Sequence, residues 1–218
     1  EDIETRRDFR SLNFVTIDGS NAKDFDDAVY AEELSDGFRL YVAIADVSAY
    51  VTKDSQLDKE AFSRATSVYF EKKVIPMLPE LISNQLCSLR PNEDKLVLTC
   101  EIYLDNRGEI KDFEFFNSVI CSKNRLTYDE VEKFYQKGQT ALLDDAVNNL
   151  RVLKKIHSLR RKIREDRKAI DFYLPEYRPV GKDNKIIKFK ATSHLLANEV
   201  IEESLSLIHI SEPTRRTP

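Results

Sequence analysis

The sequence predicts a mixed α/β (α+β) fold, and three features support this assignment. Short apolar runs of strand length precede or follow turn-forming residues, at 14–17, 28–31 and 39–47. Two further β-rich runs, 96–104 and 109–121, are joined by a short turn that ends in glycine, which favours an antiparallel hairpin. Between 140 and 168, apolar residues recur at three- and four-residue intervals, as on one face of a long helix. The 218 residues suffice for one large domain or two small ones.

The elements between these runs have local signals of their own. Residues 57–65 have helical composition with acidic residues in the first turn, and 67–70 return to extended structure. Residues 81–89 can form a short helix before Pro91. The sequence T-x-x-E from Thr127 to Glu130 is a capping box, and the helix that it begins is expected to end at Gly138.

The last third of the chain is predicted to hold two strands and two helices. Residues 170–174 and 185–189 are interpreted as strands around a turn region, and 193–205 as a helix capped by Ser193. The long helix before them carries basic residues on its outer face. A solvated face is favoured over a phosphate-contacting rim for this set: Arg151, Lys154, Lys155, Arg160, Arg161, Lys162, Arg164, Arg167 and Lys168.

Composition and charge exclude several classes of protein. The three cysteines, Cys87, Cys100 and Cys121, are isolated and lack metal-site spacing, so we expect small buried side chains and no disulfide partner. No segment has the length and hydrophobicity of a membrane span, and the first residues do not form a signal peptide, so a soluble cytoplasmic protein is expected. The net charge of −4 means that any RNA binding must depend on local patches.

The most informative stretch, 14–30, carries four aspartates between two apolar runs: Asp18, Asp24, Asp26 and Asp27. Carboxylates held this close repel one another, so a folded chain raises their pKa or binds a cation. Oxygen ligands suit Mg²⁺ or Mn²⁺. The spacing does not follow the EF-hand ladder, which argues against a calcium loop, but a solvated acidic loop stays an equal alternative on spacing alone.

Other residues that could bind metals are given structural roles. Asp46 lies near the end of the predicted strand 39–47 and is expected to cap or turn, with a supporting role beside the aspartates as the alternative. His157 and His194 are expected to be structural or exposed, and His209 is given no role.

Four long motifs occur in a fixed order along the chain. They read TIDGSNAKDFDDAVYAE (16–32), RLYVAIADVSAYV (39–51), TSVYFEKKVIPMLPELISNQLCSL (66–89) and SKNRLTYDEV (122–131). Together they resemble the catalytic domain of the RNase II/RNase R (RNB) family, over about residues 6 to 205. The resemblance implies an RNB-type catalytic domain with a largely antiparallel sheet flanked by helices.

The resemblance also implies an activity and a site. The family's enzymes are 3'→5' exoribonucleases, which hydrolyse single-stranded RNA to nucleoside 5'-monophosphates by metal-assisted attack. Carried over by position, Asp18, Asp24 and Asp27 are metal ligands with Mg²⁺ (Mn²⁺ as the alternative), and Asp26 and Asp27 are catalytic. Tyr69 matches the aromatic residue that stacks on the terminal base and is assigned to RNA binding.

The chain departs from the family pattern in several places. Ala49 stands where a His or Tyr is usual, and the later SPIRRY-type stretch and the OB-type domains have no counterpart. We therefore interpret 1–12 as a lead-in segment, 13–205 as a partial, truncated RNB catalytic domain and 206–218 as a cloning artefact or frameshifted tail. Such a chain is expected to be weak or inactive by itself. The alternative is a non-catalytic fragment that binds RNA or a protein.

Overall fold

The protein is described here from a computed structural model, which covers residues 3–70, 73–138, 144–169, 176–182, 185–192 and 194–211. Its largest element is a seven-stranded sheet. The strands are β1 (Arg7–Asp8), β2 (Val15–Asp18), β3 (Asp27–Leu34), β4 (Gly37–Ala45), β7 (Asp94–Asp105), β8 (Ile110–Cys121) and β9 (Asn124–Thr127). Their order is β1-β8-β7-β4-β3-β2-β9. The four central pairings are antiparallel, and only the outer pairs β1–β8 and β2–β9 are parallel. The predicted α+β class and largely antiparallel sheet are confirmed.

In the described ranges, the remaining elements are four α-helices, two small hairpins and three single helical turns. The helices are α1 (Gln56–Arg64), α2 (Tyr128–Lys137), α3 (Asp144–Asp166) and α4 (Leu196–Ser211). The hairpins are β5–β6 (Val68–Tyr69 and Val74–Ile75) and β10–β11 (Glu176–Lys182 and Lys185–Thr192). The turns are 3₁₀ at Ile3–Thr5 and Val47–Ala49, and π at Ile82–Leu86. None of the described helices is long and apolar enough to cross a bilayer.

The elements predicted from turn and capping residues are present in the structure. Strands β7 and β8 make the antiparallel hairpin, whose turn contains Gly108 at φ +83°, a backbone conformation that glycine adopts without strain. Helix α2 begins with the reciprocal capping box of Thr127 and Glu130, and Gly138 closes it in the left-handed region.

Two hydrophobic cores lie on opposite faces of the sheet, because alternate residues of each strand face opposite ways. The first is aliphatic and packs the sheet against α2, α3 and α4, with Leu150 and Leu153 fully enclosed. The second is aromatic and centres on Phe9, Phe14 and Tyr41, whose rings meet edge to face. The sheet is thus held rigidly from both sides.

Several sequence expectations need correction. Helix α4 does not end at 205 but continues to Ser211, and Leu207 is fully buried in the aliphatic core, so 206–211 belong to the folded part. Arg160 does not lie on an exposed outer face but is buried. Cys121 is partly exposed, whereas the other two cysteines are buried as expected. The predicted strand 170–174 and the cap Ser193 lie outside the described residues.

Candidate active site at the aspartate loop

The four aspartates occupy one edge of the sheet because of how β2 and β3 pair. Asp18 is the last residue of β2, and Asp27 is the first residue of the antiparallel strand β3. The intervening segment 19–26, here called the aspartate loop, therefore begins and ends on neighbouring strands. Val15 and Val29, which pair across the two strands, are fully buried and fix this geometry.

The first half of the aspartate loop is held from strand β9. This strand runs parallel to β2, so that Thr16 pairs with Arg125 and Asp18 with Thr127. The Nη2 of Arg125 donates hydrogen bonds to the carbonyl oxygens of Gly19 (2.9 Å) and Ser20 (3.0 Å). Its guanidinium carbon also lies 5.5 Å from the centroid of the Phe25 ring, a cation–π distance.

The second half of the loop is held from the segment that precedes β7. The hydroxyl of Ser88 accepts a hydrogen bond from the amide of Phe25 (3.1 Å) and donates one to the carbonyl of Lys23 (2.9 Å). The carbonyl of Phe25 accepts from the amide of Leu89, and that of Asp26 from the amide of Ala45. Both halves of the aspartate loop are thus fixed by groups distant in sequence.

The carboxylates of this loop repel one another in a poorly solvated place. Burial, and then the charges of Asp18 and Asp26, raise the pKa of Asp27 to about 7. Burial and the charge of Asp26 raise the pKa of Asp18 to about 6, against the opposing effect of Arg125. The pKa of Asp26 is raised by burial and by the charge of Asp24. All four predicted aspartates therefore interact electrostatically.

One oxygen of this cluster lacks the partner that a buried polar atom normally has. Asp18 Oδ2 is inaccessible to solvent and accepts no hydrogen bond in the described part of the chain. Across the described residues, no three His, Cys, Asp or Glu side chains are already gathered closely enough to share one metal ion. Mg²⁺ usually keeps several waters and takes only one or two carboxylates directly. The cluster therefore fits a hydrated divalent cation.

Two residues of the motif 122–131 lie beside the aspartates, although the sequence analysis assigns no functional role to either. They are Arg125, described above, and Tyr128, the first residue of α2. Burial and the charges of Asp18 and Asp27 raise the pKa of Tyr128 to about 12, which places its hydroxyl near these carboxylates. No local pattern marks either residue, because both approach the loop only through the parallel pairing of β2 with β9.

The other candidate residues have structural contacts, or their side chains are not among those described. Asp46 pairs with Arg6 at 2.7 Å and accepts from the Ala49 amide, so its capping role is confirmed. Tyr69 has its backbone in β5, paired with Val74, while its side chain lies outside the described residues. His194 is exposed and lies 3.0 Å from Glu202, in agreement with its predicted structural role.

A second group of ionisable side chains lies between α3 and α4, and we call it the α3–α4 seam: the buried His157, Arg160 and Glu203 and the half-buried Glu199. Arg160 Nε lies 3.1 Å from Glu203 Oε1, and its Nη1 donates to the carbonyl of Gly108 at 3.1 Å. His157 lies 3.4 Å from Glu199, and burial lowers the pKa of its imidazole. Each charge here has a partner within the chain.

The chain forms a mixed sheet with an acidic loop at one edge and helices over one face. Its similarity to known protein families identifies the class of protein that has this arrangement. The RNB domain matches residues 6–211, and the chain belongs to the RNB-domain family. It is 50% identical over 169 residues to ribonuclease R of Acidithiobacillus ferrooxidans, which is 77% of this chain and 38% of that protein. With ribonuclease R of Escherichia coli it shares 42% identity over 211 residues, covering 94% and 26%.

Solved structures give the same result for the fold. RNase R of Mycoplasma genitalium in complex with ribose-methylated single-stranded RNA superposes with a TM-score of 0.88 at 39% identity, over 93% of this chain and 32% of that one. Yeast Ssd1, described as a pseudonuclease, shares the fold at 21% identity with a TM-score of 0.65. The chain thus spans only about a quarter to two fifths of the curated relatives named above.

Proposed function

We propose that this chain carries the metal-binding side of the active site of a 3'→5' exoribonuclease. The substrate is single-stranded RNA, the products are nucleoside 5'-monophosphates, and the cation is Mg²⁺, with Mn²⁺ as the alternative. One observation carries the proposal: electrostatically coupled aspartates with raised pKa values, including the unpartnered oxygen of Asp18, lie at a rigidly held edge of an RNB-family fold.

The aspartates have two tasks in the proposed site, and Asp27 takes part in both. Asp18, Asp24 and Asp27 hold the cation directly or through water, and Asp26 and Asp27 act on the scissile phosphate and its leaving group. A bound divalent ion supplies charge neutralisation and a more acidic water. The chain's own contribution is to keep the carboxylates together, and Arg125, Ser88 and Leu89 do so by fixing the loop backbone.

The relatives support RNA as the ligand. Structures of Mycoplasma genitalium RNase R contain single-stranded and double-stranded RNA, and both superpose on this chain with the same TM-score of 0.88. We further propose a cytoplasmic location, which suits a substrate of this kind.

Tyr69 is proposed to stack on the base at the 3' end. A stacked base contributes roughly 1–3 kcal/mol and tolerates any sequence, as stepwise degradation requires. Tyr69→Ala in a chain that degrades RNA should change the length of the end product while leaving the melting temperature unchanged. If the RNA products of Tyr69→Ala and of the wild-type chain have the same lengths, Tyr69 has a structural role.

The test of the activity uses 5'-labelled single-stranded RNA with Mg²⁺ and, separately, with a chelator. We expect slow shortening from the 3' end that requires the metal and is lost in Asp24→Asn. The rate should be far below that of Escherichia coli ribonuclease R, because the 218 residues hold no SPIRRY-type arginine to stabilise transition-state charge. RNA binding without any metal-dependent shortening would support the alternative, a non-catalytic binding fragment.

A further inference from the structure

Three buried polar atoms lie at neighbouring positions of β2 and β9 and have no hydrogen-bond partner among the described residues. They are Thr16 Oγ1, Asp18 Oδ2 and Arg125 Nε. Thr16 is 0% exposed, and the guanidinium of Arg125 is already held by its Nη2 contacts with the aspartate loop. A buried donor or acceptor that stays unpaired destabilises a fold, so atoms of this kind normally have a partner. Three of them at one place therefore indicate a shared one.

The pairing of β2 with β9 brings the three side chains to one face of the sheet. Thr16 and Asp18 are alternate residues of β2, and Arg125 pairs in register with Thr16. Alternate residues of a strand point to the same side, as do residues that pair in register across two strands. Leu126, the next residue of β9, accordingly lies in the aliphatic core, whereas Phe25, over whose ring Arg125 lies, belongs to the aromatic core on the other face. The three polar side chains thus face the same side.

The chemistry of the three atoms is complementary to a single water molecule. The hydroxyl of Thr16 and the Nε–H of Arg125 can donate hydrogen bonds, and the carboxylate oxygen of Asp18 can accept one. A water accepts the first two and donates the third, and interior waters typically make about three hydrogen bonds to otherwise unpaired groups. A cation is repelled here by Arg125, and an anion by Asp18. A neutral ligand of this size suits the place best.

We propose that Thr16, Asp18 and Arg125 share one buried water, called here the β2–β9 water, and that Thr16 and Arg125 position Asp18 through it. The water holds the buried oxygen of Asp18 and so fixes the orientation of this carboxyl group, as groups behind a metal ligand usually do. The positioning role rests on the proposed function, because it concerns the cation that Asp18 is proposed to hold. The water itself does not depend on the cation.

The test compares Thr16→Val with Thr16→Ser in the 218-residue chain. Valine keeps the shape of threonine but removes the hydroxyl, so the β2–β9 water loses one of its three partners. The melting temperature in a chelator should fall by roughly 2–4 °C. The affinity for Mn²⁺, measured by isothermal titration calorimetry, should fall by roughly 10-fold. Thr16→Ser keeps the hydroxyl and should therefore keep the wild-type Mn²⁺ affinity.

The matched control is Thr99→Val, the same substitution at another fully buried threonine of the sheet. Thr99 lies on β7, and its hydroxyl shares a hydrogen bond of 2.6 Å with the hydroxyl of Ser118. Loss of this bond should lower the melting temperature by a similar amount. The Mn²⁺ affinity of Thr99→Val should equal that of the wild-type chain, because its hydroxyl has a partner within the sheet.

The sign of the change in Thr16→Val decides whether the water is present. A melting temperature equal to or above that of the wild-type chain would overturn the proposal, because removal of an unpaired hydroxyl from a dry interior stabilises a protein. A lower melting temperature with unchanged Mn²⁺ affinity, or an equal loss of affinity in Thr99→Val, would overturn the positioning role. If the wild-type chain binds no Mn²⁺, the proposed function fails, and the melts in chelator still decide the β2–β9 water.

Discussion

The aspartate loop and the α3–α4 seam both place charged side chains in poorly solvated surroundings, but they treat those charges differently. In the seam, Arg160 and Glu203 have side chains only 4% and 6% exposed, and they face each other at 3.1 Å. In the loop, Asp18 has a buried oxygen that accepts no hydrogen bond from the described residues, and the like charges of Asp26 and Asp24 act on it against the opposing charge of Arg125. The seam pairs opposite charges within the chain, while the loop brings like charges together and leaves Asp18 Oδ2 without a hydrogen bond among the described residues.

This difference suits a structural role for the charges of the α3–α4 seam and a functional role for those of the aspartate loop. A complete buried ion pair adds little net stability, because its desolvation offsets its attraction, but removal of one partner is costly because it leaves an uncompensated charge. A cluster of like charges lowers stability until a cation binds. The following experiments test this difference between the two regions.

The largest effect is expected from Glu203→Gln. This change leaves the buried guanidinium of Arg160 without its carboxylate, which costs about 3–5 kcal/mol. For a domain of this size the melting temperature should fall by about 10 °C. The double variant Arg160→Met/Glu203→Leu, which removes both charges, should recover most of that loss. A double variant as unstable as the single one would show that the pair contributes through packing alone.

The next effect is stabilisation by metal. Because a cation binds the native cluster and not the unfolded chain, Mg²⁺ or Mn²⁺ at a hundredfold excess over its Kd stabilises by about 2.7 kcal/mol. Thermal melts at pH 7.5 should therefore shift upward by roughly 5–10 °C. Asp24→Asn should reduce this shift, while Glu203→Gln should melt lower but keep it. Identical melts with and without metal in the wild-type chain would contradict the metal site.

A smaller effect is expected from pH in the absence of metal. The pKa values of Asp18 and Asp27 are raised to about 6 and about 7, so the native carboxyls keep protons that the unfolded chain releases above pH 4. The free energy of unfolding should therefore fall as pH rises from about 4 to 7. Urea melts across this range should show the fall, and Asp27→Asn should flatten it. A stability that rises with pH through the same window would be inconsistent with the raised pKa values.

The smallest effect is expected from Thr127→Ala. Thr127 caps α2 and pairs in register with Asp18, but its hydroxyl serves the helix and not the carboxylates. Loss of an N-cap costs about 1 kcal/mol. The same loss should appear in urea melts with and without metal, at pH 5 and at pH 7. A cost that changes with metal would show that the cap also supports the aspartate cluster.

Signals that are local in sequence allowed most of the fold to be predicted. The β7–β8 hairpin follows from a turn between two β-rich runs, and the capping box of α2 from two residues three positions apart. The aspartates also stand out by their close spacing, which on its own left a cation site and a solvated acidic loop as equal alternatives. Their coupling, seen in the raised pKa values, agrees with the repulsion expected from that spacing.

Features that depend on distant residues were missed. Arg160 looked like part of a solvated basic face, and only its contact with Glu203, 43 residues away, shows why the chain buries it. Arg125 lies 106 residues from Gly19, and no periodicity indicates that β9 runs parallel to β2. The last turn of α4 likewise depends on tertiary packing, because Leu207 becomes buried in the aliphatic core only when the helix docks on it.

The parallel pairing of β2 with β9 has a consequence for the order of folding. Asp18 is synthesised long before Thr127, its partner in register, and the two strands can pair only after a long intervening segment has closed into a loop. Pairings of such high sequence separation are slow to form and raise the contact order of a domain. During synthesis the β3–β4 hairpin is complete first, and the aspartates acquire their β9 neighbours late. Until β9 has been synthesised, the aspartate loop therefore lacks the hydrogen bonds that Arg125 donates to the carbonyl oxygens of Gly19 and Ser20.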